Sequence, residues 1–136
     1  MKDCPCGSTL RYAACCAPLH RGEREAADPV ALMRSRFAAF AARETGYLLR
    51  TLHPDHDDRA RPEVDVLSEL REACRENRYL GLRVESATGP DADGVARVTF
   101  TARVFRRGKD LSFREESEFL HDGTGWRYLR GRHPRE

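Results

Sequence analysis

Four of the five cysteines stand within the first sixteen residues, at Cys4, Cys6, Cys15 and Cys16. The order is Cys-x-Cys, eight intervening residues, then Cys-Cys. A segment this short cannot bury enough apolar surface to fix its own shape, and its larger apolar side chains are only Leu10, Tyr12 and Leu19. Something other than a core must hold it. Four thiolates closing tetrahedrally on one metal ion would do so. Pro5 stiffens the first pair, and Gly7 and Ser8 supply a turn whose amides can face a thiolate. Leu10 to Ala14 is expected to make one helical turn that brings Cys15 and Cys16 to the far side of the ion. Four thiolates around a divalent zinc leave two negative charges, and Lys2, Arg11 and Arg21 are near in sequence to offset them. His20 is a competing fourth donor to Cys16, although the pattern closes with Cys16.

Two other readings compete. Paired disulfides need an oxidising compartment, whereas the opening Met-Lys-Asp-Cys lacks the apolar stretch of a signal peptide, so a reducing cytoplasm is expected. Adjacent Cys15 and Cys16 also make a poor disulfide framework. Redox chemistry usually takes Cys-x-x-Cys after a strand, and Cys-x-Cys here follows none. One structural Zn2+ is the expectation.

Cys4-Pro5-Cys6-Gly7-Ser8, Tyr12 and Cys15-Cys16 together resemble the SEC-C motif, the small zinc-binding segment at the C-terminus of the SecA translocation ATPase and in many small bacterial proteins. The resemblance implies that Cys4, Cys6, Cys15 and Cys16 are the ligands, the last being His in some members. Gly7, Ser8 and Tyr12 match framework positions. Thr9 stands where the motif usually has Gly.

The chain as a whole reads as a soluble globular balance, 40% hydrophobic and 34% charged. The longest apolar run, Phe37 to Ala42, is far short of the roughly twenty residues that span a membrane. A net charge of +2 is too small to argue for nucleic acid, and Tyr12 is the knuckle's one aromatic for stacking bases. The arginine-rich closing stretch RYLRGRHPRE reads as a solvated tail.

Residues His20 to Ala27 are charged, contain Gly22 and read as a linker. Asp28 and Pro29 then form a helix start, and Val30, Met33, Phe37 and Phe40 recur on one face. That helix is expected to end near Arg43 with Gly46 as the break, before a shorter helix to Leu52 that His53-Pro54 stops. Pro62 opens a third helix with Val64, Leu67, Leu70 and Cys74 as its stripe, so Cys74 reads as core. From Tyr79 the period becomes two. Leu80, Leu82 and Val84 alternate, as do Val98, Phe100, Ala102 and Val104. Leu111, Phe113 and Phe119 mark a third strand, with Glu115 and Ser117 on its inward parity. Trp126 to Arg130 is a short last strand. Helices followed by a four-strand antiparallel meander predict an α+β fold, with the curled sheet making a cone closed by the first helix.

Leu32-Met33-Arg34-Ser35-Arg36-Phe37, Tyr47-Leu48, Leu52-His53-Pro54 and Gly125-Trp126-Arg127-Tyr128 resemble the YchJ-like family. This resemblance covers essentially the whole chain. It implies a SEC-C segment at 1–24 and, at 25–136, a domain similar to nuclear transport factor 2 and the cystatin-like cone, and it implies no reaction. Some relatives carry a second SEC-C segment at the C-terminus; none is expected here, since no cysteine follows Cys74.

Cones of this kind often enclose a pocket. Glu115, Ser117, Trp126 and Tyr128 are the pocket candidates, with Glu115 raised in pKa by burial or paired with Arg34 or Arg36. His53 reads as a capping residue and His121 as solvated. No Ser-His-Asp order, phosphate-cradling glycine loop or persuasive carboxylate pair is present, and four sulfurs leave zinc no open position for water. The sequence therefore points away from an enzyme and names no catalytic residue. The leading expectation is an interaction module, its exposed knuckle carried on a flexible linker. The SecA likeness suggests partners such as the export chaperone SecB or the ribosome. The alternative is small-molecule binding or catalysis in the cone. A homodimer through the sheet is compatible with either.

Overall fold

The computed structural model describes residues 3–134, so Lys2, expected near the cysteines, lies outside the described residues. A single 3-10 turn at Tyr12–Ala14 precedes the four-residue helix α1, Ala17–His20. The central helix is α2, Pro29–Ala42. Asp28 caps it, its side chain accepting from the Ala31 amide at 2.8 Å, which satisfies an amide that has no partner inside the helix. Arg43 ends it in the left-handed conformation, φ 60°. The break expected at Gly46 is therefore made by Arg43, and Gly46 lies inside α3, Thr45–Arg50.

The expected one-sided face of α2 is also corrected. Leu32, Ser35 and Ala39 are buried as fully as Phe37, while Val30, Met33 and Phe40 are half-buried. The helix is sandwiched: the sheet covers one side, and α1, α3 and the cysteine segment cover the other. In α4, Glu63–Glu76, the stripe is shifted by two residues at its start. Val64 is 70% exposed and Val66 only 2%, so Val66, Leu70 and Cys74 face inward, with Cys74 in the main core.

The sheet contains β1 (Arg78–Thr88), β2 (Ala96–Arg106), β3 (Lys109–Asp110), β4 (Phe113–His121) and β5 (Trp126–Arg132). Pairing is antiparallel in the order β1-β2-β4-β5, and the two-residue β3 folds back on β2. The expected four-strand meander is thus present with one small addition, and the sheet stays open. Register shifts occur at Tyr79/Gly81 and Val84/Ser86 in the first pair and at Glu118/Phe119 in the last. Such bulges bend and twist a strand, which curls the sheet around α2.

Bulges also reset parity. The first leaves Leu80 51% exposed and turns Tyr79 and Leu82 inward against Phe37. The last lets Tyr128 pair with Phe119 while Arg130 pairs with Glu118 and Gly131 with Ser117. Arg130 consequently faces outward, and its guanidinium meets Glu118 at 2.6 Å. Arg97 and Arg132 reach the same carboxylate at 2.9 and 3.0 Å.

Candidate functional site

The four N-terminal sulfurs converge. A short bridge between Asp3 and Arg11 and the Cys4 amide donating to the Leu10 carbonyl at 2.7 Å close a tight loop. Within it Gly7 and Thr9 take left-handed φ values of 83° and 69°. The 3-10 turn and the start of α1 then deliver Cys15 and Cys16. All four Sγ atoms lie within 4.8 Å of one another, with Cys6 to Cys15 at 3.6 Å and Cys15 to Cys16 at 3.9 Å. Tetrahedral bonds of ~2.3 Å to a metal would set sulfurs ~3.8 Å apart, so the cluster has the dimensions of a four-thiolate metal site. All four cysteines are free of disulfides.

The surroundings fit the same purpose. The Ser8 hydroxyl donates to Cys15 Sγ at 3.1 Å, the kind of contact that orients a ligand. Hydrogen bonding from Cys16 draws Cys6 down to about 4, and burial pushes Cys4 up to about 11. Cys16 is pushed up further, first by its bond to Cys6 and then by burial. Crowded, buried sulfurs cannot all carry charge without a cation; they divide the protons unevenly instead.

His20 stands outside this cluster. Its ring bridges Tyr12 and α2: the Tyr12 hydroxyl donates to Nδ1 at 2.6 Å, and Nε2 donates to the Ser35 carbonyl at 2.8 Å. Both nitrogens are engaged, and the histidine pins the knuckle to the helix. Arg34 adds a second pin, donating to the Cys6 carbonyl at 2.9 Å, and Arg50 donates to the Leu19 carbonyl at 3.2 Å. Cys4, Cys6 and Cys16 are buried against Ala38. The expectation of a knuckle carried freely on a flexible linker is corrected: its inner side is docked on α2, while Leu10 and Arg11 on its outer side stay exposed. Glu25 of the linker is held by Arg127 at 2.8 Å, and Ala26 is part of the main core. The expected charge partners change too, since Arg11 is exposed and Arg21 pairs with Glu23.

The second site is a cavity of about 430 Å3 between α2 and the sheet. Its wall is mostly apolar, with Met33, Phe37, Phe40, Tyr79 and Phe100 inside and Leu111 and Phe113 exposed at the rim. The polar lining is Arg36, Glu115, Ser117 and Tyr128, with Asn77 apart from them at the end of α4. Three of the four pocket candidates, Glu115, Ser117 and Tyr128, therefore share one wall. Trp126 does not line it; the indole packs against the main core and meets His121 edge to face.

Ser117 donates to Glu115 Oε2 at 3.0 Å. Burial raises the Glu115 pKa, partly offset by this hydrogen bond and by the charges of His133 and Arg36. Burial likewise pushes Tyr128 up to about 12. Neither arginine pairs with Glu115 as weighed from sequence: Arg34 serves the knuckle, and Arg36 donates to the Leu48 carbonyl at 2.8 Å and to Thr51 Oγ1 at 2.6 Å. The Arg36 guanidinium lies 4.8 Å from the centre of the Tyr128 ring.

Sequence reading missed Asn77 and Tyr79 as parts of this wall, and Gly131 as the neighbour of Glu115 behind it. Asn77 Oδ1 is buried with no hydrogen-bond partner; its amide nitrogen donates to the Tyr79 oxygen at 3.3 Å. Gly131 matters by what it lacks, because a Cβ there would collide with the Glu115 carboxyl. A glycine inside a strand marks close approach by another group, and that signal was available.

A small α+β cone, its first long helix capped by a docked four-cysteine knuckle, is the class of protein that fold and site define. Comparison with known proteins gives the family. Residues 28–131 match the family model described as the YchJ middle NTF2-like domain. The chain is 38% identical over 131 residues to the UPF0225 protein YchJ of Shigella dysenteriae serotype 1, covering 96% of this chain and 83% of that one. It belongs to the YchJ-like family. The solution structure of a SEC-C motif containing protein from Rhodopseudomonas palustris superposes with a TM-score of 0.83 at 32% identity, over 98% of this chain and all of that one. A crystal structure of a SEC-C motif containing protein from Psychrobacter arcticus gives 0.81 at 22% identity, over all of this chain and 85% of that one, and shows the same fold.

Proposed function

We propose that the protein is a zinc-stapled binding module whose working site is the cone cavity. Cys4, Cys6, Cys15 and Cys16 hold one structural zinc, which fixes residues 1–24 as a cap on the domain of 25–136. Thiolate donors suit zinc, and four of them leave no open coordination position for catalysis. The observation that carries the functional half is the polar cluster of Arg36, Glu115, Ser117 and Tyr128 set into an otherwise apolar cavity. Convergent polar groups in such a concavity are the ordinary signature of a ligand site. The cluster lacks the paired groups of a recognised reaction, so binding is favoured over catalysis.

Metal analysis of the purified chain should return about one zinc per molecule. A thermal-shift screen should find small molecules that raise the melting temperature, and NMR should place them by shifts at Tyr79, Phe100 and Phe113. Hits that perturb only surface residues elsewhere would refute the cavity as the working site.

A second reading keeps the protein partner suggested by the SecA likeness. It rests on Leu10, 55% exposed on the outer surface of the knuckle beside exposed Arg11. A pull-down with and without chelator tests it, and equal recovery of partners in both would count against it. Free thiols throughout suit a reducing compartment such as the cytoplasm.

A further inference from the structure

Among the described residues, the fully buried charged side chains are compensated by ion pairs, with one exception. Glu118, 1% exposed, is met by three arginines. Buried Arg127 is met by Glu25 at 2.8 Å and Asp122 at 3.0 Å. Arg36 is also buried, yet no carboxylate lies within ion-pair distance of it among the described residues. Its Nη1 donates to two neutral oxygens, and the other guanidinium N–H groups make no hydrogen bond to the described residues. Burial lowers its pKa to about 10, so it stays protonated at neutral pH. An uncompensated buried cation is costly, and this one borders the cavity.

We propose that the cavity is a receptor for an organic carboxylate, with the carboxylate closing on the Arg36 guanidinium and an apolar body lying among Met33, Phe37, Phe100 and Phe113. This rests on the cavity being the ligand site and adds the class of ligand. A guanidinium fork matches a carboxylate in shape as well as charge. The Tyr128 ring beneath the guanidinium and the Leu48 and Thr51 oxygens behind it fix the fork before any ligand arrives. The apolar wall supplies the burial energy for a hydrocarbon body.

Glu115 sets the condition for entry. Its carboxyl shares the polar wall, facing Arg36 from α2, Ser117 on its own strand, Tyr128 on β5, and His133 beyond it. Ionised, it repels an incoming carboxylate; protonated, it can donate to one. Acid binding therefore weakens as pH rises and Glu115 ionises. A neutral ligand rich in donors, such as a carboxamide, would instead seek the Glu115 carboxylate and the orphan Asn77 Oδ1.

Calorimetric titration of the zinc-loaded full chain with matched probes separates these cases. The probes are octanoate against octanamide and phenylbutanoate against phenylbutanamide. Each acid should bind at least about tenfold more tightly than its amide, with NMR shifts at Phe113 and Tyr79. Arg36→Gln should abolish acid binding, with the fold checked by circular dichroism. Because Arg36 also ties Leu48 and Thr51, Glu115→Gln carries the test independently: it should tighten acid binding about threefold or more at neutral pH. It should also flatten the pH dependence relative to wild type. Amides binding as well as acids, or weaker acid binding by Glu115→Gln, would overturn the carboxylate class and leave the cavity as a ligand site. Acids that fail to bind at millimolar concentration, or bind elsewhere, would also overturn it. The cavity itself falls only if the wider screen finds no occupant there.

Discussion

The knuckle and the cavity lie on opposite sides of α2 and treat polar groups in opposite ways. At the knuckle, polar groups find partners. His20 uses both ring nitrogens, Arg34 holds the Cys6 carbonyl, and the sulfurs sit at metal-binding distance from one another. At the cavity, Arg36 lacks a counter-ion, Asn77 Oδ1 lacks a donor, and Glu115 is buried against its charge. Satisfied groups stabilise a fold, whereas unsatisfied ones cost stability and are retained where a ligand completes them. The difference separates a structural site from a working one. Substitutions that remove a sulfur ligand or a pinning side chain at the knuckle should destabilise the protein, and at least one in the cavity should stabilise it.

The largest effect should come from removing the ion. Chelation, or Cys16→Ser, should release the metal and undock the knuckle from Ala38, with a loss of several kcal/mol, about 3 or more. Melting temperature and zinc content should fall together. A chain that melts unchanged without metal would break the comparison at its strongest point.

Next is the histidine pin. His20→Ala removes the second donor to the buried Ser35 carbonyl, which keeps its helical partner, and leaves the Tyr12 hydroxyl without its acceptor, a cost of about 2 kcal/mol. Chemical denaturation measures it, and metal content should stay at one ion per chain. Loss of the ion in this variant would mean that His20 serves the metal directly.

These two sites differ as much in how legible they are. Spacing alone exposes Cys4, Cys6, Cys15 and Cys16, because the chemistry of four sulfurs on a short coreless segment leaves few solutions. Inward parity also exposes Glu115 and Ser117, because β4 is regular up to them. Bulges defeat the rest. Leu80 faces outward because it is itself the bulged residue between Tyr79 and Gly81, and Gly131 comes to lie beneath Glu115 because another bulge intervenes in β5. Period-two reading cannot see an inserted residue. The docking of the knuckle was equally hidden, since it depends on Ala38, Ser35 and Arg34, three residues that α2 presents away from its expected apolar face. Trp126 shares inward parity with Tyr128 and still misses the cavity, because it stands at the far end of β5, over the main core.

A smaller effect of opposite sign is expected at Thr9. A β-branched residue at φ 69° is strained, and the SEC-C pattern usually has Gly there. Thr9→Gly should stabilise the metal-loaded protein by about 1 kcal/mol, since relief of strain outweighs the added freedom of the unfolded chain. An unchanged midpoint would mean that the Thr9 hydroxyl contributes what its backbone costs.

The smallest effect carries the sharpest sign. Burial raises the Glu115 pKa above its ordinary value of 4.5. Below that value both folded and unfolded forms bind the proton, and ionisation makes no difference between them. As pH rises, the unfolded chain releases its proton first, so wild-type stability declines until the folded carboxyl has ionised too. Glu115→Gln removes this decline. It should match wild type below about pH 4 and become more stable than wild type toward neutral pH, as read by melting temperature across the range. A variant less stable than wild type at neutral pH would mean that the Glu115 charge is used by the fold, through Ser117 and Arg36. The cavity would then be a second structural site, and the contrast with the knuckle would disappear.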